Sequence, residues 1–100
     1  MAFIVSVKND VQGLLLVVTD EELVGKLFEE GILRLDLTVR FYEGDEMGQE
    51  EVIMLLKNAR HIHFTGKEAV ALGINEGLID GERVLFIQGV PHAQVVVDKN

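Results

Sequence analysis

The sequence predicts an α+β fold, a two-layer mixed β-sheet with about three helices in the order β-β-α-β-α-β-α-β-β. Short apolar or alternating segments predict the strands, and segments with apolar residues at helical spacing lie between them. The chain has 100 residues and contains no repeat, low-complexity tract or linker that would divide it. We therefore expect a single domain over residues 1–100.

The first third of the chain predicts a hairpin followed by a helix. Residues 1–8 and 14–18 are apolar enough for two strands, and turn-forming residues lie between them. Thr19 and Glu22 have the spacing of a capping box, and the apolar residues that follow recur at helical spacing. We expect this first helix to end at Gly31, because glycine is favoured just after a helix.

The middle third predicts a strand, a helix and a second strand. Residues 32–41 contain the clearest strand, in which apolar side chains alternate with charged residues and threonine. A second helix is expected from about residue 49 to residue 59, and a short strand over residues 61–64. Thr65 and Glu68 then form a second capping box, which predicts the start of a third helix.

The last third predicts the end of that helix and two further strands. Gly73 lies on the apolar face of the helix, where it would allow close packing, and Gly77 ends the helix. Residues 84–87 and 93–97 are apolar and predict the last two strands. The two terminal strands could leave an open sheet edge, through which a homo-oligomer could form.

The composition excludes several classes of protein. Nine basic and seventeen acidic residues give a formal net charge of −8, which disfavours duplex DNA because that affinity depends on Lys and Arg contacts to phosphates. The absence of cysteine excludes disulfides and thiolate nucleophiles. No stretch approaches the ~20 apolar residues of a membrane span, and residues 1–7 lack a signal-peptide pattern. We expect a cytoplasmic protein with no membrane partner and no cofactor.

The run from Gly89 to Gln94 is the first candidate for a functional segment, and Pro91 within it is the only proline of the chain. We expect it to join the last two strands as a shaped surface. Histidine is the side chain that titrates near neutrality, so His92 could be a binding group, a general base or a turn cap. Gln94 would point the same way, and together they could form directional hydrogen bonds to a base edge, peptide or amide.

His61 and His63 are the candidates for a metal site. They lie two residues apart on a predicted strand, so their imidazoles should share one face, and His92 could be a third ligand. No spacing in the sequence requires a metal. The alternative is a solvated strand face whose other side, Ile62 and Phe64, belongs to the core.

The segment Thr65-Gly66-Lys67 is a candidate anion site, because it opens a helix directly after a strand. It is not a Walker loop, since the upstream glycine is missing and Glu68 replaces the required Ser or Thr. The alternative is a capped helix start without a ligand. Tyr42 interrupts the preceding alternation and is either an exposed interface aromatic or a half-buried loop residue.

Four segments of the chain resemble a small archaeal family, domain of unknown function 424. These segments are Glu22–Gly31, Phe41–Gly44, Gly66 within its helix start, and Gly89–Gln94. The resemblance covers essentially the whole chain. It implies an archaeal, cytoplasmic, single-domain protein without an established activity, in a family associated with RNA or translation. It further implies a binding surface that contains Gly25–Lys26, Phe41–Tyr42 and Gly89–Gln94.

Together these observations predict a non-enzymatic binding module for a protein or single-stranded RNA partner. The acidic total favours a protein, while unpaired RNA would be read by stacking and edge hydrogen bonds. The expected binding residues are Lys26, Tyr42, Lys67, His92 and Gln94. The expected structural residues at the site are Gly25, Gly44, Gly66, Gly89 and Pro91. The alternative is a small metal-binding protein or hydrolase-like enzyme that uses His61, His63 and His92.

Overall fold

The computed structural model describes residues 2–98, apart from the side chain of Asp10. The strands are β1 (Phe3–Asp10), β2 (Gly13–Asp20), β3 (Leu27–Glu30), β4 (Leu33–Asp36), β5 (Asp45–Met47), β6 (Ala59–Thr65), β7 (Leu85–Ile87) and β8 (Val90–Val96). The helices are α1 (Gln49–Leu56) and α2 (Lys67–Asn75). The α+β class is confirmed, although the described residues form two α-helices where about three were expected.

Six strands form one mixed sheet in the order β5-β1-β2-β6-β8-β7. β2 and β6 are parallel, and every other neighbouring pair is antiparallel. β1 and β2 form the expected N-terminal hairpin, in which Phe3 pairs with Asp20. A parallel pair needs a long connection, and α1 lies within the connection from β2 to β6.

The main core lies between this sheet and the two helices. Leu16, Ile62 and Phe64 project from adjacent strands and are fully buried against apolar residues of α1 and α2. Gly73 of α2 packs closely, as expected: a Cβ added there would lie 2.3 Å from Ile79 Cδ1. Since strand side chains alternate, the polar residues of β6 and β8 project from the opposite face of the sheet.

The predicted first helix is wrong. Thr19 and Asp20 are the last residues of β2 and are buried, so Thr19 does not cap a helix. A short 3-10 turn follows at Glu21–Leu23, and the chain then forms the hairpin of β3 and β4, with Gly31 in its turn. Of the apolar residues at helical spacing, Leu23 and Phe28 instead join a second apolar cluster around buried Leu35, Leu37 and Ile87, and Leu27 is exposed.

The predicted strand over residues 32–41 is shorter in the structure. β4 ends at Asp36, whose carboxylate accepts hydrogen bonds from the Thr38 backbone N–H at 3.0 Å and the Thr38 hydroxyl at 2.5 Å. These two hydrogen bonds turn the chain and hold the pKa of Asp36 below its usual value. A 3-10 turn follows at Arg40–Tyr42, and β5, which was not expected, completes the sheet.

The second and third predicted helices are present but shorter, as α1 and α2. The predicted capping box at Thr65 is wrong, because Thr65 is the last residue of β6. Its hydroxyl lies 2.8 Å from His92 Nδ1 and is fully buried. Within residues 2–98, no helix is long and apolar enough to cross a membrane.

The sheet edges also differ from the expectation. The terminal strands β1 and β8 lie inside the sheet, and the edges are β5 and β7, each of three residues. Short edge strands are one way in which proteins avoid edge-to-edge association. The expected open edge along the terminal strands is therefore wrong, except where β8 continues past β7 after His92.

Candidate functional site

Three of the four segments that carry the family resemblance meet at one cleft. We call it the Asp20 cleft; it has a volume of about 240 Å³. It lies where β2 ends, α2 begins and β7 turns into β8. Its lining residues are Asp20, Glu22, Leu23, Gly66, Lys67, Glu68, Gly89, Val90 and Pro91.

Asp20 connects the end of β2 to the start of α2 at the cleft. Its side chain is buried, and its two carboxylate oxygens accept hydrogen bonds from the backbone N–H groups of Glu68, at 3.0 Å, and Ala69, at 2.8 Å. A residue of β2 therefore caps α2, a role that the sequence assigned to Thr65. Burial raises the pKa of Asp20, and the two backbone hydrogen bonds act in the opposite direction.

This cap bears directly on the predicted anion site at Thr65-Gly66-Lys67. An anion at a helix start needs free N–H groups, and the Asp20 carboxylate already occupies those of Glu68 and Ala69. A second carboxylate or phosphate there would also meet the Asp20 charge. The geometry thus favours the alternative, a capped helix start, and leaves Lys67 as an exposed side chain on the rim.

Gly66 allows this close approach of strand and helix. Its φ of +108° and ψ of 161° lie in a region that is essentially restricted to glycine. A Cβ at this position would lie 2.3 Å from Asp20 Cγ. The Gly66 backbone N–H also donates to the Pro91 carbonyl at 2.9 Å, so this glycine connects all three walls of the cleft.

The third wall is the turn between β7 and β8. Gln88 and Gly89 both have positive φ, 50° and 78°, as expected for the two central residues of a tight hairpin turn. The Gln88 N–H donates to Glu30 Oε1 at 2.6 Å, which connects the turn to the β3–β4 hairpin. The predicted loop is smaller than expected, because Pro91 already belongs to β8. Pro91 is buried and is preceded by a trans peptide bond.

His92 and Gln94 share one face of β8, as expected, but that face is opposite the helices and outside the cleft. His92 is half-buried beside Thr65, and burial lowers its pKa. Gln94 is exposed and pairs in register with His63. His92 therefore contacts Thr65 on the other face of the sheet and does not line the cleft.

The three histidines form a cluster on the same face. The ring centroids of His61 and His63 are 4.9 Å apart, those of His63 and His92 are 6.0 Å apart, and Phe41 contacts His63 edge-on at 5.1 Å. Burial, with the nearby His61, His92 and Lys8, lowers the pKa of His63 to about 4. Within residues 2–98, no three or more His, Asp or Glu side chains are arranged to hold a metal ion.

The remaining predicted site residues lie away from the cleft. Lys26 is exposed at the base of the β3–β4 hairpin, where its carbonyl accepts from the Leu37 N–H at 2.9 Å, and Gly25 donates to the Leu37 carbonyl at 2.8 Å. Tyr42 is half-buried in the second apolar cluster, as its alternative interpretation stated. Gly44 is structural, since a Cβ there would lie 2.1 Å from the Val5 carbonyl oxygen.

Sequence reasoning missed the residue at the centre of the cleft. Asp20 follows Thr19, the expected cap of a first helix, and precedes two glutamates, so its surroundings predict a helix start and not the end of a strand. The one available signal was its position directly after the apolar run of β2, where an acidic residue ends a buried strand. Leu23 and Val90, which line the cleft with apolar surface, gave no separate signal.

Comparison with known proteins places the chain in a family. A model of the family described as protein of unknown function (DUF424) matches residues 7–97. A crystal structure of an uncharacterized conserved protein from Methanopyrus kandleri is similar with a TM-score of 0.81 and 18% sequence identity, over 100% of this chain and 96% of that one. At that identity the similarity shows a shared fold. No functionally curated protein matches the chain. The family match covers most of the sequence, and the chain belongs to the DUF424 family.

Proposed function

We propose that this chain is a non-enzymatic binding module that holds a basic segment of a partner protein in the Asp20 cleft. The observation that carries the proposal is the convergence of Glu22–Leu23, Gly66–Lys67 and Gly89–Pro91 on one cleft. These segments are far apart in the chain and meet only through folding. Gly66, in its glycine-only conformation, shapes the cleft around a buried carboxylate.

The chemistry of the lining supports a basic partner segment. Glu22 and Glu68 present exposed carboxylates at the rim, and Lys67 is the single cation of the lining. Leu23 and Val90 are partly buried and give the walls an apolar component, which suits the stem of a lysine or arginine. The net charge of −8 would steer a basic partner toward this chain.

Two hydroxyl groups on the histidine face of the sheet, those of Ser6 and Thr65, are buried. Ser6 is the only serine and is buried in β1. Thr65 lies beside His92 in the geometry of a nucleophile and its base, at 2.8 Å, but Thr65 is fully buried and a substrate could not reach its hydroxyl. The hydrolase-like alternative therefore has no accessible nucleophile in this pair.

The experiment is a tagged pull-down from native lysate, with and without nuclease, followed by photo-crosslinking at position 22. Glu22→Lys reverses a charge on the rim of the cleft, and Glu76→Lys, at the exposed C-terminal end of α2, is the matched control. We expect Glu22→Lys to lose at least about nine-tenths of the captured partner, since one reversed charge at a close ion pair costs several kcal/mol. Glu76→Lys should keep it.

A third variant, His92→Ala with Gln94→Ala, tests the other face of the sheet. The proposal requires that this double variant retain the partner and that the capture survive nuclease treatment. Loss of the partner in the double variant but not in Glu22→Lys would move the binding surface to the histidine face. If the partner that Glu22→Lys loses also disappears on nuclease treatment, that partner is bound through RNA, which would contradict the protein proposal.

A further inference from the structure

A second candidate surface lies on the sheet face opposite the helices, where Lys8, His61 and His63 are placed by the strands. Strand register places Ser6, Val17, His63 and Gln94 in one lateral row, and Lys8, Leu15, His61 and Val96 in the next. Neither row contains a carboxylate, although the chain carries seventeen acidic residues and the pair two residues beyond Lys8 along β1 is Asp10 with Gly13. A local surface of this kind can attract an anion even where the total charge is negative.

An irregularity in β6 adds an arginine to this face. The parallel pairing of β2 and β6 shifts register between Leu14 and Leu15, which pair with Ala59 and His61. Arg60 is the extra residue, so β6 carries a bulge there. Bulges re-aim side chains and are frequent beside functional sites. Ala59 and Ile62 are both buried in the main core, which leaves Arg60 and His61 together on the other side.

Gly13, the first residue of β2, leaves space for the side chain of this arginine. Gly13 has a φ of +123°, and a Cβ added there would lie 2.7 Å from Arg60 Cγ, so the arginine stem lies directly on the glycine. Arg60 and His61 both line the space beside this glycine. None of the described side chains forms an ion pair with Arg60.

A small cavity lies at this position, with a volume of about 70 Å³, lined by Gly13, Leu15, Arg60, His61 and Val96 among others. By the same measure one water molecule needs roughly 10–15 Å³, so the cavity has room for a tetrahedral oxyanion. Arg60 and His61 line this cavity together, and a guanidinium and an imidazole can offer several N–H donors to such a group.

Aromatic rings continue from this cavity along the sheet. His61 is followed by His63 at 4.9 Å between centroids, and Phe41 lies against His63 at 5.1 Å. Exposed Gln94 lies beside His63 and has both a hydrogen-bond donor and an acceptor. Unpaired bases are bound by stacking on rings and by edge hydrogen bonds, so this row suits the nucleotide attached to a bound phosphate.

We propose that the cavity at Arg60 and His61 binds a backbone phosphate of unpaired RNA, with the adjacent base on the row of His63 and Gln94. This site is separate from the Asp20 cleft and does not depend on the protein partner proposed for it. The ligand chemistry is a phosphate group, which inorganic phosphate would share.

Two probes test this with the full chain: sodium phosphate, followed by backbone amide NMR shifts, and a fluorescein-labelled oligouridylate of eight nucleotides, followed by anisotropy. Arg60→Gln removes the guanidinium, and Arg83→Gln, an exposed arginine beside Asp80, makes the same charge change elsewhere. We expect Arg60→Gln to weaken oligouridylate binding at least fivefold and to lower its salt slope by about 0.7. Arg83→Gln should change binding less than twofold.

The outcomes separate the sources of the phosphate. Shifts at Gly13 and His61 with both probes support the proposal, whereas a response to sodium phosphate alone would restrict the site to small anions and overturn the RNA assignment. Equal effects of the two arginine variants would show a response to total charge only, and the proposal would be wrong. His61→Gln replaces Arg60→Gln if the latter shifts the unfolding midpoint, and it should also weaken binding.

Discussion

At the scale of single residues, the cleft depends on Asp20 and Gly66. A carboxylate at the end of β2 caps a helix that begins 47 residues later in the chain, and burial raises its pKa. Two backbone hydrogen bonds offset part of the free energy that this burial costs. The contact requires that nothing larger than hydrogen project from Gly66 toward Asp20.

Gly66→Ala should therefore lower the free energy of unfolding by about 3 kcal/mol, from backbone strain together with displacement of Asp20. Urea unfolding checks this value. Gly77→Ala is the control: that glycine also has positive φ, 75°, but nothing lies within 4 Å of an added Cβ. It should cost about 1–2 kcal/mol. Equal losses in the two variants would show that contact with Asp20 does not matter.

His63 gives the chain a pH-dependent stability. Its pKa is lowered from 6.5 to about 4 in the folded state, so the unfolded chain binds more protons between these values. The contribution of His63 is complete above pH 6.5 and is lost as pH falls toward 4. His92, whose pKa is also lowered, acts in the same direction. Asp20, with a raised pKa, acts in the opposite direction above pH 3.8.

We expect wild type to lose stability from pH 6.5 to pH 4.5 and His63→Gln to lose about 2 kcal/mol less over that interval. Urea unfolding at several pH values gives this difference. An NMR titration of the His63 ring measures the cause directly, and a ring that titrates above pH 6 would refute the explanation.

At the scale of elements, the segment from residue 21 to residue 36 shows how a helical pattern can belong to a hairpin. Leu23 and Phe28 fit a helical stripe, but they also fit a second apolar cluster that only a folded-back chain can complete. Gly25 and Gly31 lie on either side of β3 and have positive φ, 92° and 61°. The helix expected in this segment does not continue through such residues. Tertiary burial outweighs the weak local preference.

Cross-linking distinguishes these two structures. Glu29 pairs with Arg34 across the β3–β4 hairpin, so Glu29→Cys with Arg34→Cys should form a disulfide on air oxidation. Glu30→Cys with Arg34→Cys is the control, because Glu30 pairs with Leu33 and therefore lies on the face of the hairpin opposite Arg34. Mass spectrometry without reductant reads out the bond. Preferential oxidation of the control pair would contradict this hairpin.

The elements that the sequence did predict are those whose signal is local. The β1–β2 hairpin, α1, β6 and α2 coincide with apolar runs bounded by turn residues or by acids at a helix start. β5 gave no such signal, since Asp45 and Glu46 are exposed and pair with β1 only at the edge of the sheet. The cap of α2 could not be predicted, because its partner lies in a distant strand.

At the scale of the whole molecule, the net charge and the short edge strands disfavour association between copies. Each edge strand has three residues, and β5 carries two acidic ones. The net charge of −8 adds repulsion between copies. We therefore expect a monomer in sedimentation equilibrium at physiological salt, up to about 100 µM. A dimer would point to the part of β8 that extends past β7, and Val96→Lys, at an exposed position there, should then dissociate it.

The sequence by itself determined the fold class, the family, the N-terminal hairpin, both helices and the shared faces of His61 with His63 and His92 with Gln94. These follow from local periodicity, from turn residues and from motifs read in order along the chain. Only the tertiary structure decided that Glu22–Leu23, Gly66–Lys67 and Gly89–Pro91 form one cleft, and that Lys26 and Tyr42 lie outside it. The cleft depends on the contact between Asp20, at the end of β2, and the start of α2. No local pattern in the sequence records a contact between residues so far apart in the chain.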